Sequence, residues 1–160
     1  MKTAIYPGSF DPITYGHLEV LESGAKIFDK VIIAVSNNCN KKGFLAPEIR
    51  KNLIEESVKH LPNVEVDLFD GLTIEYARKH NATVLLRGLR AVSDFEYEMQ
   101  LSQTNSALAE EIKTVFLITK PEYSFISSST VKEVFLNNGD VSKFVPPVVA
   151  DYLTNQYKTC

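Results

Sequence analysis

Five short apolar runs, each followed by residues with the spacing of an amphipathic helix, alternate along the whole chain and leave few folds open. The first run, Thr3-Ala4-Ile5-Tyr6, reads as a strand too near the start to be anything but core. The second, residues 30–35, is β-branched and continuous rather than alternating, the pattern of a strand covered on both faces. Residues 64–69 alternate and read as a strand nearer an edge, residues 83–86 as a buried strand, and residues 114–119 as the fifth. Helices are predicted between them. Leu18, Leu21, Ala25 and Phe28 share one helical face, and Pro47 suits the first turn of a helix running to about residue 59, with Ile49, Leu53, Ile54 and Val58 inward. A short helix over residues 72–79 follows the turn Asp70-Gly71. Ser93-Asp94-Phe95-Glu96 has the form of a capping box opening a long helix to about residue 111. Residues 128–138 form a further helix that Gly139 terminates, and Pro146-Pro147 begins a last one over residues 148–157.

Such alternation predicts an α/β fold: a Rossmann-like, doubly wound sheet of five parallel strands with helices on both faces. At 160 residues the chain is most simply one domain, 1–160. A net charge of −3 implies no broad basic field, hence no nucleic-acid or membrane-surface partner. Cys39 and Cys160 do not make a disulfide framework, and no apolar run reaches membrane-span length, so a soluble cytoplasmic protein is expected.

In a doubly wound sheet, ligands sit beyond the carboxyl ends of the strands where the winding reverses. The polar residues fall there. Tyr6-Pro7-Gly8-Ser9-Phe10-Asp11-Pro12-Ile13-Thr14-Tyr15-Gly16-His17 follows strand one, placing His17 in the first turn of a helix whose free N–H groups and dipole favour an anion. Gly16 removes a side chain that would keep a phosphate off that backbone, and Ser9 adds a hydroxyl. Lys41 and Lys42 follow strand two, Arg87-Gly88-Leu89-Arg90 strand four, and Tyr123 to Thr130 strand five, the last with a run of hydroxyls before a helix N-terminus. Each piece has a plainer interpretation. Thr14 is a good helix cap, paired lysines are usually a solvated loop, a strand-terminal arginine can clamp carbonyls, and Ser127 or Ser128 can serve as an N-cap. Together they supply the guanidinium, ammonium, hydroxyl and helix-end groups that bind phosphate. The chain lacks G-x-x-x-x-G-K-[ST], G-x-G-x-x-G and G-x-S-x-G, and His17, His60 and His80 have no zinc-ligand spacing.

T-x-G-H after a first strand, with I-S-S-S-T-V-K later, resembles the nucleotidyltransferase superfamily. The first loop, the block Leu86-Arg87-Gly88-Leu89-Arg90-Ala91-Val92-Ser93-Asp94-Phe95-Glu96-Tyr97-Glu98-Met99-Gln100, and Ser124 to Ser129 resemble the bacterial phosphopantetheine adenylyltransferases over nearly the whole chain. Ser9 stands where many relatives have threonine, and Tyr123 where an indole is common. The resemblance implies adenylyl transfer from ATP to 4′-phosphopantetheine, giving dephospho-coenzyme A and pyrophosphate. By position, it places Ser9, Phe10, His17, Gly88, Leu89, Arg90, Glu98, Tyr123, Ser124, Phe125, Ile126, Ser127, Ser128 and Ser129 at ATP, and Ser9, Lys41, Thr73 and Arg87 at phosphopantetheine. It also implies Mg²⁺ held through triphosphate oxygens rather than a protein cage, and a homo-oligomer, a hexamer. The nucleophile is itself a phosphate with a second pKa of about 6, so no proton need be removed. The expected task is to align two anions and stabilise charge at the α-phosphorus, with His17 as donor and Lys41 beside it. Three alternatives stay open: a relative acting on nicotinate mononucleotide or using CTP, a non-catalytic nucleotide sensor, and an assembly protein using Phe95, Met99 and Leu101 on the long helix.

Overall fold

The computed structural model describes residues 1–38 and 42–157. Lys41 and both cysteines lie outside the described residues. Five parallel strands, β1 Thr3–Gly8, β2 Lys30–Ser36, β3 Val64–Phe69, β4 Val84–Leu89 and β5 Lys113–Ile118, form one sheet in the order β3-β2-β1-β4-β5. Among the described residues, six α-helices accompany them: α1 Tyr15–Ile27, α2 Pro47–Ser57, α3 Thr73–Lys79, α4 Val92–Leu108, α5 Ser128–Leu136 and α6 Pro147–Asn155.

Side-chain alternation along the central strands divides the core. Ala4, Tyr6, Val31, Ile33, Val35 and Leu86 point to the face covered by Leu18 and Leu21 of α1, Ile54 of α2, Val131 of α5 and Val149 of α6. Ile5, Ile32, Ala34 and Leu85 point to the other, against Ile74 and Ala77 of α3 and Ala109 and Ile112 beyond α4. Each central strand is therefore buried on both faces, and its sequence is a continuous apolar run for that reason. β3 lies at one edge, as its alternation predicts, with only Phe69 fully buried.

Three boundaries differ from expectation. β4 continues through Arg87 and Gly88, paired with Phe116 and Leu117, so these residues belong to the strand rather than to a loop after it. Helix α4 starts at Val92 with Ala91 as N-cap and no side-chain cap. Its first turn closes with Phe95 N–H on Ala91 C=O, which puts Ser93 inside the helix instead of at its cap. At the end of α5 the left-handed residue is Asn138, at φ +62°, rather than Gly139. Asn138 N–H reaches Phe135 C=O and Gly139 N–H reaches Val134 C=O, the paired bonds of a Schellman ending. Gly139 is needed there for space, since a Cβ would lie 2.6 Å from Val134 Cγ1.

The winding reverses between β1, which leads outward through β2 and β3, and β4, on its other side. The sheet therefore opens between Pro7-Gly8 and Arg87-Gly88.

Candidate active site

Two clefts meet at that opening. One, of about 370 Å³, is lined by Ser9, Phe10, His17, Arg90 and the Ile126 to Ser129 segment, among others. The second, of about 570 Å³, takes in Asp11, Lys42, Arg50, Thr73 and Lys132. Pro7, Gly8, Ser9, Arg87, Tyr97 and Glu98 line both.

His17 is set by local sequence. Thr14 caps α1: its Oγ1 accepts the His17 N–H at 3.3 Å, while Thr14 N–H donates to His17 Nδ1 at 3.1 Å. This is a capping box in which an imidazole replaces the usual carboxamide or carboxylate of the third residue. With Nδ1 accepting, the neutral ring carries its proton on Nε2 and keeps it as a donor. Burial, then the nearby Arg90 and Arg87 charges, push the His17 pKa down to about 3. The ring is thus neutral at physiological pH and acts through a fixed N–H. Phe10, at φ +46° in a region costly for a bulky residue, places its ring edge-on to His17 with centroids 5.1 Å apart.

The two arginines are each held by a carboxylate from α4, one helical turn apart. Arg87 Nε donates to Glu98 Oε2 at 2.8 Å, its Nη2 to Glu98 Oε1, and its Nη1 to Pro7 C=O at 2.8 Å. Arg90 Nε donates to Asp94 Oδ2 at 2.8 Å and its Nη1 to Ile126 C=O at 3.0 Å. Both arginines are therefore carbonyl clamps as well as cleft cations. The plain roles also hold for the serines. Ser127 is the N-cap of α5, accepting Thr130 N–H at 3.1 Å, and Ser128 Oγ donates to Pro12 C=O at 2.8 Å. Ser129 and Ser9, both exposed, line the first cleft. One glycine there answers to packing: a Cβ on Gly88 would approach Val20 Cγ2 to 2.8 Å, whereas one on Gly16 would meet the Tyr123 and Ile126 carbonyls only at ordinary contact distances of 3.5 and 3.6 Å.

Of the residues expected at the nucleotide, the first cleft gathers Ser9, Phe10, His17, Gly88, Arg90, Glu98, Ile126, Ser127, Ser128 and Ser129. Leu89, Tyr123, Ser124 and Phe125 do not line it. Leu89 ends β4 and its carbonyl accepts Thr119 N–H, the Tyr123 ring lies 6.1 Å from that of Tyr15, and Ser124 Oγ bonds Pro121 C=O. Phe125 is 61% exposed and touches Phe144 edge-on. Thr73 and Arg87 line the second cleft with Ser9, and Lys41 lies outside the described residues. Asp11, Arg50, Tyr97 and Lys132 also line these clefts without having been singled out, and Lys42, expected after strand two, lines the second. Lys42 and the lysine of I-S-S-S-T-V-K were visible as cations in suggestive positions. Asp11 and Arg50 carried no signal, because the contacts that tie them to the β1–α1 loop and to the segment before α2 span 33 to 41 residues, Asp11 to Phe44 and Arg50 to Ser9. His60 and His80 take no part: His60 faces Glu22, and His80 stacks on Tyr76.

The site thus offers a neutral imidazole donor, guanidinium edges, free hydroxyls and the first-turn N–H groups of α5, a set suited to phosphates. Comparison with known proteins agrees. The family model described as Cytidylyltransferase-like matches residues 5–134. The phosphopantetheine adenylyltransferase of Caldanaerobacter subterraneus subsp. tengcongensis is 49% identical over 158 residues, covering 99% of each chain. That of Synechococcus elongatus is 52% identical over 154 residues, covering 96% of this chain and 93% of its own. A Vibrio parahaemolyticus crystal structure, reported under the name nicotinate-nucleotide adenylyltransferase, superposes with a TM-score of 0.71 over 97% of this chain and 100% of its own. At 22% identity that likeness speaks for the fold alone. Half-identity across almost every residue decides the narrower relationship: this chain belongs to the cytidylyltransferase-like family and, within it, to the phosphopantetheine adenylyltransferases.

Proposed function

We propose that the protein transfers the adenylyl group of ATP to 4′-phosphopantetheine. An acceptor phosphate oxygen bonds to the α-phosphorus as the bond to the bridging oxygen of pyrophosphate breaks, and dephospho-coenzyme A and pyrophosphate leave. The observation that carries this is the pair of clefts joined at Ser9 and Arg87. One suits a triphosphate nucleotide and the other an elongated acceptor, and the shared rim brings the two phosphates together.

In this assignment Ser9, Phe10, His17, Gly88, Arg90, Glu98 and the segment from Tyr123 to Ser129, with Leu89, serve the nucleotide. Lys41, Thr73, Arg87 and Ser9 serve the acceptor. Binding both anions at fixed geometry supplies most of the acceleration, and His17 Nε2–H stabilises charge gathering on the α-phosphate. No side chain is required to move a proton. Asp94 and Glu98, the carboxylates lining the first cleft, are occupied by arginines. A cation carried on the triphosphate fits that donor set better than one held by the protein, and Mg²⁺ is the ion we propose.

The test is pyrophosphate release from ATP with a panel of acceptors. Turnover is expected with 4′-phosphopantetheine, absent with nicotinate mononucleotide or with CTP as donor, and abolished by a chelator until Mg²⁺ is restored. Turnover of another pair in preference would replace this reading, and ATP binding without pyrophosphate release for any acceptor would favour a sensor.

We also propose a homo-oligomer, a hexamer, in the cytoplasm. Helix α4 leaves Phe95 48% and Met99 41% exposed, and Ile118 on the edge strand β5 is 83% exposed. Apolar groups on one helix and the adjoining sheet edge are what a second copy would cover. Light scattering is expected to give the mass of six chains, and a monomeric mass at micromolar concentration would remove the proposal. Among the described residues no helix is long and apolar enough to cross a membrane.

A further inference from the structure

Among the described residues, Arg50 and Asp11 are buried charged groups, at 6% exposure each. Neither belongs to a residue set discussed above as touching a ligand. Arg50 projects from the first turn of α2 back to the carboxyl ends of the strands. There Nη1 donates to Ser9 C=O at 2.6 Å and Ser36 C=O at 3.2 Å, and Nε to Leu45 C=O at 3.1 Å. The Asp11 carboxylate accepts Phe44 N–H at 2.7 Å on Oδ2 and Leu45 N–H at 2.8 Å on Oδ1. Between them the two side chains tie together three separate stretches of chain: the β1–α1 loop at Ser9 and Asp11, the end of β2 at Ser36, and the segment from Lys42 to Leu45.

Core support alone does not require such groups. Burying a guanidinium and a carboxylate is expensive unless each is fully hydrogen-bonded, and apolar residues of similar volume would serve packing as well. What the charged pair adds is direction. A planar fork with several donors fixes several carbonyls at defined angles, and a two-oxygen acceptor fixes consecutive N–H groups. The atoms so fixed belong to residues at the second cleft: Ser9 on its shared rim, Ser36 on its wall, and the backbone just after Lys42 and Gly43. Gly43 fits closely here, since a Cβ would stand 3.1 Å from Asp11 Oδ2 and 3.0 Å from Leu45 C=O.

We infer that Asp11 and Arg50 are positioning residues for the acceptor side of the reaction, holding the Ser9 hydroxyl and the Lys42-bearing loop at the spacing the acceptor phosphate needs. This rests on the adenylyltransferase reading for its substrate, although the clamp itself does not. It assigns the acceptor cleft an internal support that Arg87 and Glu98 supply independently on the other wall.

The variants are Arg50→Met, Arg50→Lys and Asp11→Asn, assayed below their unfolding temperatures beside the wild type. The acceptor KM is expected to rise about 10-fold or more, as misplacement by a fraction of an ångström does. The KM for ATP should stay within about threefold, whereas kcat should fall with the lost alignment of the two phosphates. Lysine keeps the charge but not the fork, so Arg50→Lys should recover little. Because both residues hold the same segment, the acceptor-KM effects of Arg50→Met and Asp11→Asn should fall short of additivity when combined. Amide hydrogen exchange gives a readout free of activity: residues 42–46 should exchange at least about 10-fold faster in each variant while β1 and β2 keep their protection. A lowered melting temperature with unchanged acceptor KM and unchanged exchange at 42–46 would reduce the pair to fold support and overturn the inference. If the wild type released no pyrophosphate, the functional reading would fail first, and exchange at 42–46 would still decide whether the clamp exists. Should Arg50→Met not fold, Asp11→Asn, which keeps one acceptor oxygen, carries both measurements.

Discussion

His17→Ala is expected to lower kcat by about 10²-fold or more, the usual cost of one lost transition-state donor, with ATP affinity little changed. The alanine removes the Nε2–H, whereas ground-state binding of the triphosphate keeps Arg90, Ser129 and the N-terminus of α5. The same geometry sets the pH behaviour. The His17 pKa is pushed down to about 3 by burial and by Arg90 and Arg87, so no limb of the rate profile above pH 5 belongs to this imidazole. Stability must follow. The unfolded chain takes up a proton near pH 6.5 that the native chain refuses until about pH 3. The stabilisation tied to the neutral ring is therefore whole above pH 6.5 and is lost as pH falls from there towards 3. Urea midpoints from pH 7 to 4 should decline less steeply for His17→Ala than for the wild type. Near-normal turnover in the variant would remove the donor role, and parallel pH slopes would show that the ring titrates normally.

Arg87→Ala is expected to act twice. Its guanidinium pairs with Glu98, whose side chain is 9% exposed, and removing it leaves that carboxylate buried without a partner. Breaking such a pair costs about 3 kcal/mol. In a domain of this size that is roughly 6–12 °C in Tm. The second effect is a raised acceptor KM, because Arg87 lines the acceptor cleft and a ground-state contact is lost along with a transition-state one. The effects separate in a Glu98→Gln background, where the carboxylate is already neutral. There Arg87→Ala should cost far less stability while the KM effect persists. An unchanged acceptor KM in both backgrounds would make Arg87 a strut between α4 and the Pro7 carbonyl and nothing more.

How much of this was legible beforehand depended on the range of the interaction. Strands β1, β2 and β4 were readable because a doubly buried strand needs a continuous apolar run, and β3 because a strand at an edge alternates. Helix α1 was readable because its start is written locally, in Thr14 and the residues just after it. Errors fell where two local signals competed. Ser93 and Glu96 matched a capping box, yet the α4 first turn closes on Ala91. Gly139 looked like the left-handed residue, yet Asn138 takes that conformation and Gly139 only needs the room beside Val134. The resemblance assigns the stretch from Tyr123 to Ser129 to the nucleotide as a block, and within that stretch the cleft lining begins at Ile126.

The order of apolar runs and helical stretches, by itself, determined a parallel doubly wound sheet, and T-x-G-H with the arginine and serine segments determined that phosphate chemistry would gather at its carboxyl edge. Those features are local, so spacing along the chain is enough to express them. Only the tertiary structure decided that His17 is neutral with its donor on Nε2, that Arg87 and Arg90 are each gripped by α4, and that Arg50 reaches 41 residues back to the Ser9 carbonyl. Such properties depend on which charges and carbonyls surround a group once the chain has closed on itself, and no spacing along the chain contains that.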